Sequence, residues 1–507
     1  MTHNTTMYLL GLVLPFLLFV LILLRPRFQA SQRYGSATLV RRSHLFHRKH
    51  QGLVIDGRNR LSAQHSFQHL MCVSPTGTGK SQGFVLPNLL TLDTSMVVTD
   101  IKGELYELTA AYLHRKGFQV RCIDFGNPTT SLHYNPLHRL KDDLAIKSFA
   151  RQLITMSSIK ASEGIWTEGC IQVLEVIIRL LKNKDGGHYA NLANIQHVLN
   201  YFSGTPDELR LLDQWVICSA DEAIKQQYKR FMNQESKIRA GQLSGALAAM
   251  VAFDSSDIHN LTQKDELNFA ELRHQKTVLF LKVPISKATQ MSPLITLFYT
   301  QFFDYLLSSE ISPVDESIFV LLEEAGNLQR IPNLAAVTSL VRSRRVSVSL
   351  VLQNIDQLDR IYGREDAQTI QSNTAGLLVY PGLKSERTLR SVLTLLGVTT
   401  HEEKDELGRT QHNARAVLTL DELRRLPTGR GVFIHSNAPA VDLRITPLYA
   451  NKKLLRHARI RSHQGRLQAL QTFYSPQRSS SSIDFLPLQK KLASTNPYPL
   501  FEHINTQ

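Results

Sequence analysis

Cysteine is scarce in this chain: four residues in 507, at positions 72, 122, 170 and 218, with no C-x-x-C pair among them. That spacing excludes a disulfide scaffold and a zinc ribbon, and makes reduced, buried thiols in a cytosolic domain the expected state. Acidic residues are also in deficit, 43 against 58 Lys and Arg, leaving a formal charge of +15 and a pI near 9.6. Such a surplus favours an anionic partner, either nucleic acid or a lipid surface. No zinc-finger or helix-turn-helix pattern accompanies it, so base-specific reading of a duplex is not indicated. Long apolar runs are missing too, apart from one near the amino terminus. Disorder of the whole chain is excluded by a hydrophobic content of 43%, enough at this length for a large core and more than one domain.

The one long run is MYLLGLVLPFLLFVLILL, Met7 to Leu24, 18 residues without a charge. At about 1.5 Å per residue it spans roughly the hydrocarbon core of a bilayer. The preceding MTHNTT holds no Lys or Arg and no small-residue cleavage site follows, so an uncleaved anchor is expected rather than a signal peptide. Arg25, Arg27, Arg33, Arg41, Arg42, Arg48 and Lys49 come next, and the positive-inside rule then places everything from residue 25 onward in the cytoplasm. His44, His47 and His50 read as part of a solvated juxtamembrane segment, not as metal ligands.

Beyond this point strands and helices alternate. HLMCVSP, SMVVTD, QVRCIDF, TVLFLKVP, SIFVLLEE, VSVSLVLQN, AGLLVYPG and GVFIHS are continuously apolar, as strands buried on both faces of a parallel sheet are. Helical stretches such as ELYELTAAYLHRKG lie between them, so the fold class is α/β, a doubly wound, mostly parallel sheet. The expected order is a short extracytoplasmic start (1–6), a transmembrane helix (7–24) and a basic juxtamembrane segment that opens the main domain (25–60). The α/β domain follows in two parts (61–141 and 273–450), interrupted by an all-α insertion (142–272) and ended by a basic, Ser- and Pro-containing flexible tail (451–507).

VSPTGTGKSQG, Val73 to Gly83, carries the first chemistry. A strand, a glycine-rich turn and a helix start surround it, the context in which G-x-x-x-x-G-K-[ST] cradles phosphates on backbone N–H groups and a helix N-terminus. Ser74, Pro75, Thr76, Gly77, Thr78, Gly79, Lys80 and Ser81 are the expected nucleotide contacts, with Lys80 as point charge and Ser81 as a ligand of Mg²⁺. Ser74 stands where the pattern has its first glycine. A second element, SIFVLLEEAGN, ends an apolar strand in Glu323 and Glu324, at the sheet edge where such folds bind ligands. Glu323 would hold Mg²⁺ and Glu324 would polarise the attacking water as general base. The first of these positions is usually Asp, so Glu323 is one methylene longer.

From Gly35 to Tyr449 the chain resembles the TraG/TraD-like coupling proteins of bacterial type IV secretion and conjugation, which are RecA-like P-loop motor ATPases. The likeness runs through ordered blocks: YGSATLV, SPTGTGKSQGFVLPNLL, VVTDIKGELYELTAAYLHRKG, LHYNPL, FVLLEEAGNLQRIPNL, VRSRRVSVSLVLQNIDQLDRIYG and AVLTLDELRRLPTGRGVFI. It implies ATP and Mg²⁺ as cofactors, a homo-hexameric ring, and a bacterial inner-membrane protein of single pass with its N-terminus outside and its motor domain in the cytoplasm. It implies as partners single-stranded DNA with its relaxase and the inner-membrane components of the secretion channel. It also implies Arg342 as the arginine reaching a neighbour's nucleotide, Gln353 as the γ-phosphate sensor, and Asp100 and Lys102 of TDIKGE as supporting residues.

One apolar run here, where the family commonly has two, implies little contact outside the membrane. Three readings follow: a DNA-pumping motor, a receptor for protein substrates, and a nucleotide-gated scaffold with weak or no hydrolysis. Segregation translocases of the FtsK/HerA type are disfavoured by the Asp-x-Lys-Gly-Glu and Leu-x-x-Asp-Glu-Leu blocks.

Overall fold

Each of the eight continuous apolar runs forms a strand, because unbroken aliphatic and β-branched sequence needs cover on both faces. A computed structural model describes residues 34–156, 165–404 and 410–459; the apolar run at 7–24 and the tail beyond 459 lie outside the described residues. The strands are β1 (Leu39–Val40), β2 (Leu70–Val73), β3 (Ser95–Asp100), β4 (Gln119–Asp124), β5 (Thr277–Lys282), β6 (Ile318–Leu322), β7 (Val346–Leu352), β8 (Gly376–Val379), β9 (Val398–Lys404), β10 (Thr410–Ala416), β11 (Arg430–His435) and β12 (Ala438–Arg444).

Ten of them make one sheet, in the order β1-β12-β11-β8-β2-β7-β6-β3-β5-β4. Every pairing is parallel except the two made by β11, so the sheet is α/β and mostly parallel. Alternate residues enter two separate cores. Met71, Val73 and Val97 face one, and Leu70, Cys72, Met96 and Val98 the other. Helices Leu86–Thr91 and Glu104–Arg115 cover the second face, with Leu89, Leu105 and Leu113 buried beneath them. Helices Ala288–Ser308 and Leu334–Leu340 cover the first, which continues into the helical region.

Between β4 and β5 every described element is helical, and Ile165–Asn183 is the long central helix, packed by Asp143–Met156, Leu192–Phe202, Glu222–Met232 and Ser236–Met250. Among the described residues no helix is long and apolar enough to cross a membrane.

The structure departs from the expected pattern in several places. The expected flexible tail opens with a packed helix, Lys452–Ala458, whose Leu454 and Ala458 are buried, and β1 and β12 come from stretches not expected as strands. β9 and β10 form an antiparallel hairpin whose sequences, VTTHEEK and TQHNARA, carry no apolar face and so gave no strand signal. The thiols of Cys72, Cys122 and Cys170 are free and buried, whereas Cys218 is exposed.

Candidate nucleotide site

Strand order brings the candidate residues together. β7 lies between β2 and β6, and β3 lies on the other side of β6. Their carboxyl ends therefore deliver the Ser74–Ser81 loop, Gln353, the Glu323–Glu324 pair and Asp100 to one edge of the sheet.

The loop is held from within. Ser74 is fully buried; its N–H donates to the Leu352 carbonyl at 2.9 Å, and its hydroxyl meets that of Thr78. Thr78 Oγ1 donates in turn to the Pro75 carbonyl at 2.8 Å. Ser74 is not among the residues with positive φ, so a side chain is tolerated there; it shapes the loop and does not line it. Gly77 and Gly79 differ, at φ +83° and +91°, where L side chains are strained. A Cβ on either would meet nothing within 4 Å, so backbone conformation, not crowding, requires glycine, and the space above the loop is free for a ligand. The chain then winds through a π turn, Ser81–Val85, into helix Leu86–Thr91.

The loop's last two residues each take one carboxylate. Lys80 Nζ lies 2.7 Å from Glu324 Oε1, and Ser81 Oγ donates to Glu323 Oε1 at 2.5 Å. The extra methylene of Glu323 thus lets it close on the Ser81 hydroxyl. Gln353 Nε2 donates to the other oxygen of Glu324, Oε2, at 3.1 Å. Glu324 itself sits at φ 52°, ψ 42°, a left-handed conformation that costs a non-glycine residue about 1 kcal/mol or more and that concentrates at functional sites.

Burial is the dominant electrostatic influence. It pushes the Glu323 carboxyl up to about 7, against the Ser81 hydrogen bond and with help from the charges of Asp100 and Glu324. It raises Asp100 to about 6, against the N–H groups of Tyr106, Leu105 and Gly103. Asp100 Oδ2 accepts from Tyr106 N–H at 2.8 Å, while the buried Oδ1 has no partner. The Ser81 hydroxyl and the Glu323 carboxylate are oxygen donors of the class a hard divalent cation takes, and the charge of Asp100 is felt at Glu323.

Two candidates stand apart. Lys102 is exposed on the turn after β3. Arg342 is exposed on the 3-10 turn Val341–Arg344, ahead of β7, at the opposite end of that strand from Gln353. A seven-residue strand is about 23 Å long, so this guanidinium and the site of its own chain lie on opposite edges of the sheet. Its neighbours are committed elsewhere. Arg344 donates to the carbonyls of Ser309 and Leu307 at 2.8 and 3.1 Å, and Arg345 to those of Ser312, Asp315 and Pro313 at 2.6, 2.8 and 3.1 Å. Among the described residues Arg342 has no side-chain partner.

Sequence reasoning missed two positioning residues. Gln357 Oε1 accepts from the Gln353 N–H at 2.8 Å and fixes the backbone at the end of β7. Its place four residues after Gln353 was the available signal. His69, at φ 64° ahead of β2, holds the Thr338 carbonyl with Nε2 at 2.6 Å and takes the Val348 N–H on Nδ1 at 3.1 Å. The buried ring thereby ties the loop's strand to β7 and to the helix that leads to Arg342.

Known proteins share this fold. Structures of the bacterial conjugative coupling protein TrwB align over 82% of the chain: a sulphate complex at TM-score 0.66 and 16% identity, covering 94% of that chain, and a complex with the non-hydrolysable ATP analogue ADPNP at 0.64 and 17%, also covering 94%. The VirD4 protein of Rhizobium radiobacter is 21% identical over 406 residues, 76% of this chain and 58% of that protein. A conjugal transfer protein TraG of Escherichia coli is 23% identical over 396 residues, 71% of this chain and 62% of that one. The chain thus spans about three fifths of the length of these relatives. The profile of the family described as Type IV secretory system Conjugative DNA transfer matches residues 31–473, most of the sequence, and the chain belongs to that family.

Proposed function

We propose that this chain is a membrane-anchored coupling ATPase that recruits a relaxase-bound DNA or a protein substrate and drives it into a type IV secretion channel. The observation that carries the reading is the convergence of Lys80, Ser81, Glu323, Glu324 and Gln353 at one sheet edge beneath an open glycine loop. TrwB binds ADPNP, and ADP with Mg²⁺, in its structures, and those complexes supply the ligand class.

Each residue then has a task set by its surroundings. Backbone N–H groups of the loop and the Lys80 ammonium hold phosphate oxygens. Glu324, oriented by Gln353, accepts a proton from the attacking water. A strained backbone keeps its carboxylate aimed without reorganisation. Ser81 and Glu323, with Asp100 behind them, would hold Mg²⁺, which when bound offsets charge on the phosphates. Arg342, unpartnered on the far edge, is suited to a neighbouring subunit's site, which supports a ring, with six subunits as the family resemblance implies. The run at 7–24 and the arginines after it support an inner-membrane anchor with this domain in the cytoplasm. The basic balance supports a channel that grips phosphates without reading bases.

ATP hydrolysis by the full chain in detergent or nanodiscs, with and without single-stranded DNA, tests the reading. DNA-stimulated turnover that Lys80→Ala and Glu324→Gln both abolish is the expected result. Tight ATP binding without turnover by assembled rings would instead select a nucleotide-gated receptor.

A further inference from the structure

The juxtamembrane segment gathers cations that the rest of the fold leaves unused. Arg41, Arg42, Arg48, Lys49 and Arg58 are exposed, and among the described residues none forms an ion pair. The segment's only acid, Asp56, is 5% exposed and occupied internally, accepting from the N–H groups of Arg58 and Asn59 at 2.9 and 2.7 Å and from Asn59 Nδ2 at 2.7 Å. His44 and His47 are exposed beside the cations.

This surface is built and not merely left over. Leu45 is 5% exposed, and Phe46 packs its ring on Phe433 at 5.5 Å between centroids. Backbone bonds from Phe46 to Ser43 at 3.2 Å, from His47 to Arg60 at 3.0 Å and from His50 to His47 at 3.1 Å fix the turns between them. Two apolar anchors point inward, and the charged residues on either side are thereby held outward.

The kind of partner follows from what is missing. A groove for single-stranded nucleic acid presents aromatic rings on which bases stack. Here the one Phe, Tyr or Trp between Arg41 and Arg58 is turned into the protein, against Phe433. The tether points the same way. Tyr34, where the described chain starts, follows Leu24 by ten residues, a leash of at most ~35 Å.

We propose that the face formed by Arg41, Arg42, Arg48, Lys49 and Arg58 docks on anionic phospholipid headgroups and holds this edge of the domain against the bilayer. The proposal rests on the reading of residues 7–24 as a membrane anchor. Each Lys or Arg at an anionic leaflet multiplies surface occupancy roughly five-fold, so five act as a clamp and not as a weak bias. The contact is electrostatic and weakens with salt.

The test uses the full chain in nanodiscs, with an environment-sensitive fluorophore on His47→Cys in a Cys218→Ser background, the other three cysteines being buried. Headgroup-labelled quencher lipid reports proximity. Quenching should increase when phosphatidylglycerol replaces part of the phosphatidylcholine, fall at high salt, and be lost on reversing all five cations to Glu. Reversing Lys452, Lys453, Arg456 and Arg459, exposed cations of another segment, should leave it unchanged. Equal quenching in neutral and anionic discs would overturn the proposal while leaving the anchor intact. Protection of the label by single-stranded DNA and not by lipid would overturn it in favour of a nucleic-acid surface. Failure of the chain to incorporate into discs at all would overturn the anchor, and the proposal with it.

Discussion

Lys80 Nζ and Glu324 Oε1 are 2.7 Å apart, so the loop's cation and the candidate base neutralise each other in a buried place. Substituting either one has a stability cost as well as a functional one. Lys80→Ala leaves Glu324 with Gln353 alone and should cost about 3 kcal/mol in chemical denaturation, with loss of nucleotide binding. Glu324→Gln should keep nucleotide binding and lower kcat by about a hundredfold or more. Equal binding by wild type and Lys80→Ala would remove the loop from the site.

Ser74 is expected to be silent in turnover. Ser74→Gly restores the usual glycine but loses the hydroxyl contact to Thr78 and adds backbone freedom. A loss of about 1 kcal/mol in stability, with kcat within two-fold of wild type, is expected. A gain of tenfold or more in kcat would show that the serine slows turnover.

The three arginines of VRSRR should separate cleanly. Arg344→Ala and Arg345→Ala each strand two or more carbonyls and should lower stability by about 1–2 kcal/mol. Arg342→Ala should leave stability within about 0.5 kcal/mol and reduce turnover at least about a hundredfold. Mixing Arg342→Ala with Lys80→Ala subunits should restore part of the activity, because a mixed interface pairs an intact loop with an intact arginine. Rings that stay inactive in every mixture would assign Arg342 a role within its own subunit.

Stability of the nucleotide-free protein should depend on pH with two opposed signs. Glu323, at about 7 against an ordinary 4.5, and Asp100, at about 6 against 3.8, hold protons in the native state that the unfolded chain has released. Their contribution is complete below the ordinary values and is lost as pH rises through 6 and 7. His69 is held at about 4 against 6.5, chiefly by burial, so its contribution is intact above 6.5 and lost as pH falls toward 4. Thermal melts should flatten between about pH 4.5 and 7 in Glu323→Gln and between about pH 4 and 6.5 in His69→Gln, whose amide can donate to Thr338 and accept from Val348. Unchanged slopes in both variants would rule out these groups as the source.

The fold was legible where local chemistry decides structure. VSPTGTGKSQG names its own strand, turn and helix, and FVLLEE ends an apolar strand in acid, so the loop and the carboxylates could be placed before any coordinates. Their pairing could not. That Ser81 takes Glu323 and Lys80 takes Glu324 depends on β7 lying between β2 and β6, a tertiary fact with no local trace. The roles of Arg344 and Arg345 were hidden for the same reason, since the carbonyls they cap belong to residues 307–315. β9 and β10 escaped because period-two polarity is the signal for a strand, and a hairpin exposed on both faces has none.

β1 is the described strand nearest the amino terminus and β12 the last, yet they are partners, with Leu39 opposite Ala440. During synthesis β1 would leave the ribosome early, while the strand that completes the sheet beside it emerges near the end. The edge of the sheet that holds β1 is therefore the last to close. A chain truncated before residue 438 would leave β1 without its partner and expose an unpaired strand edge.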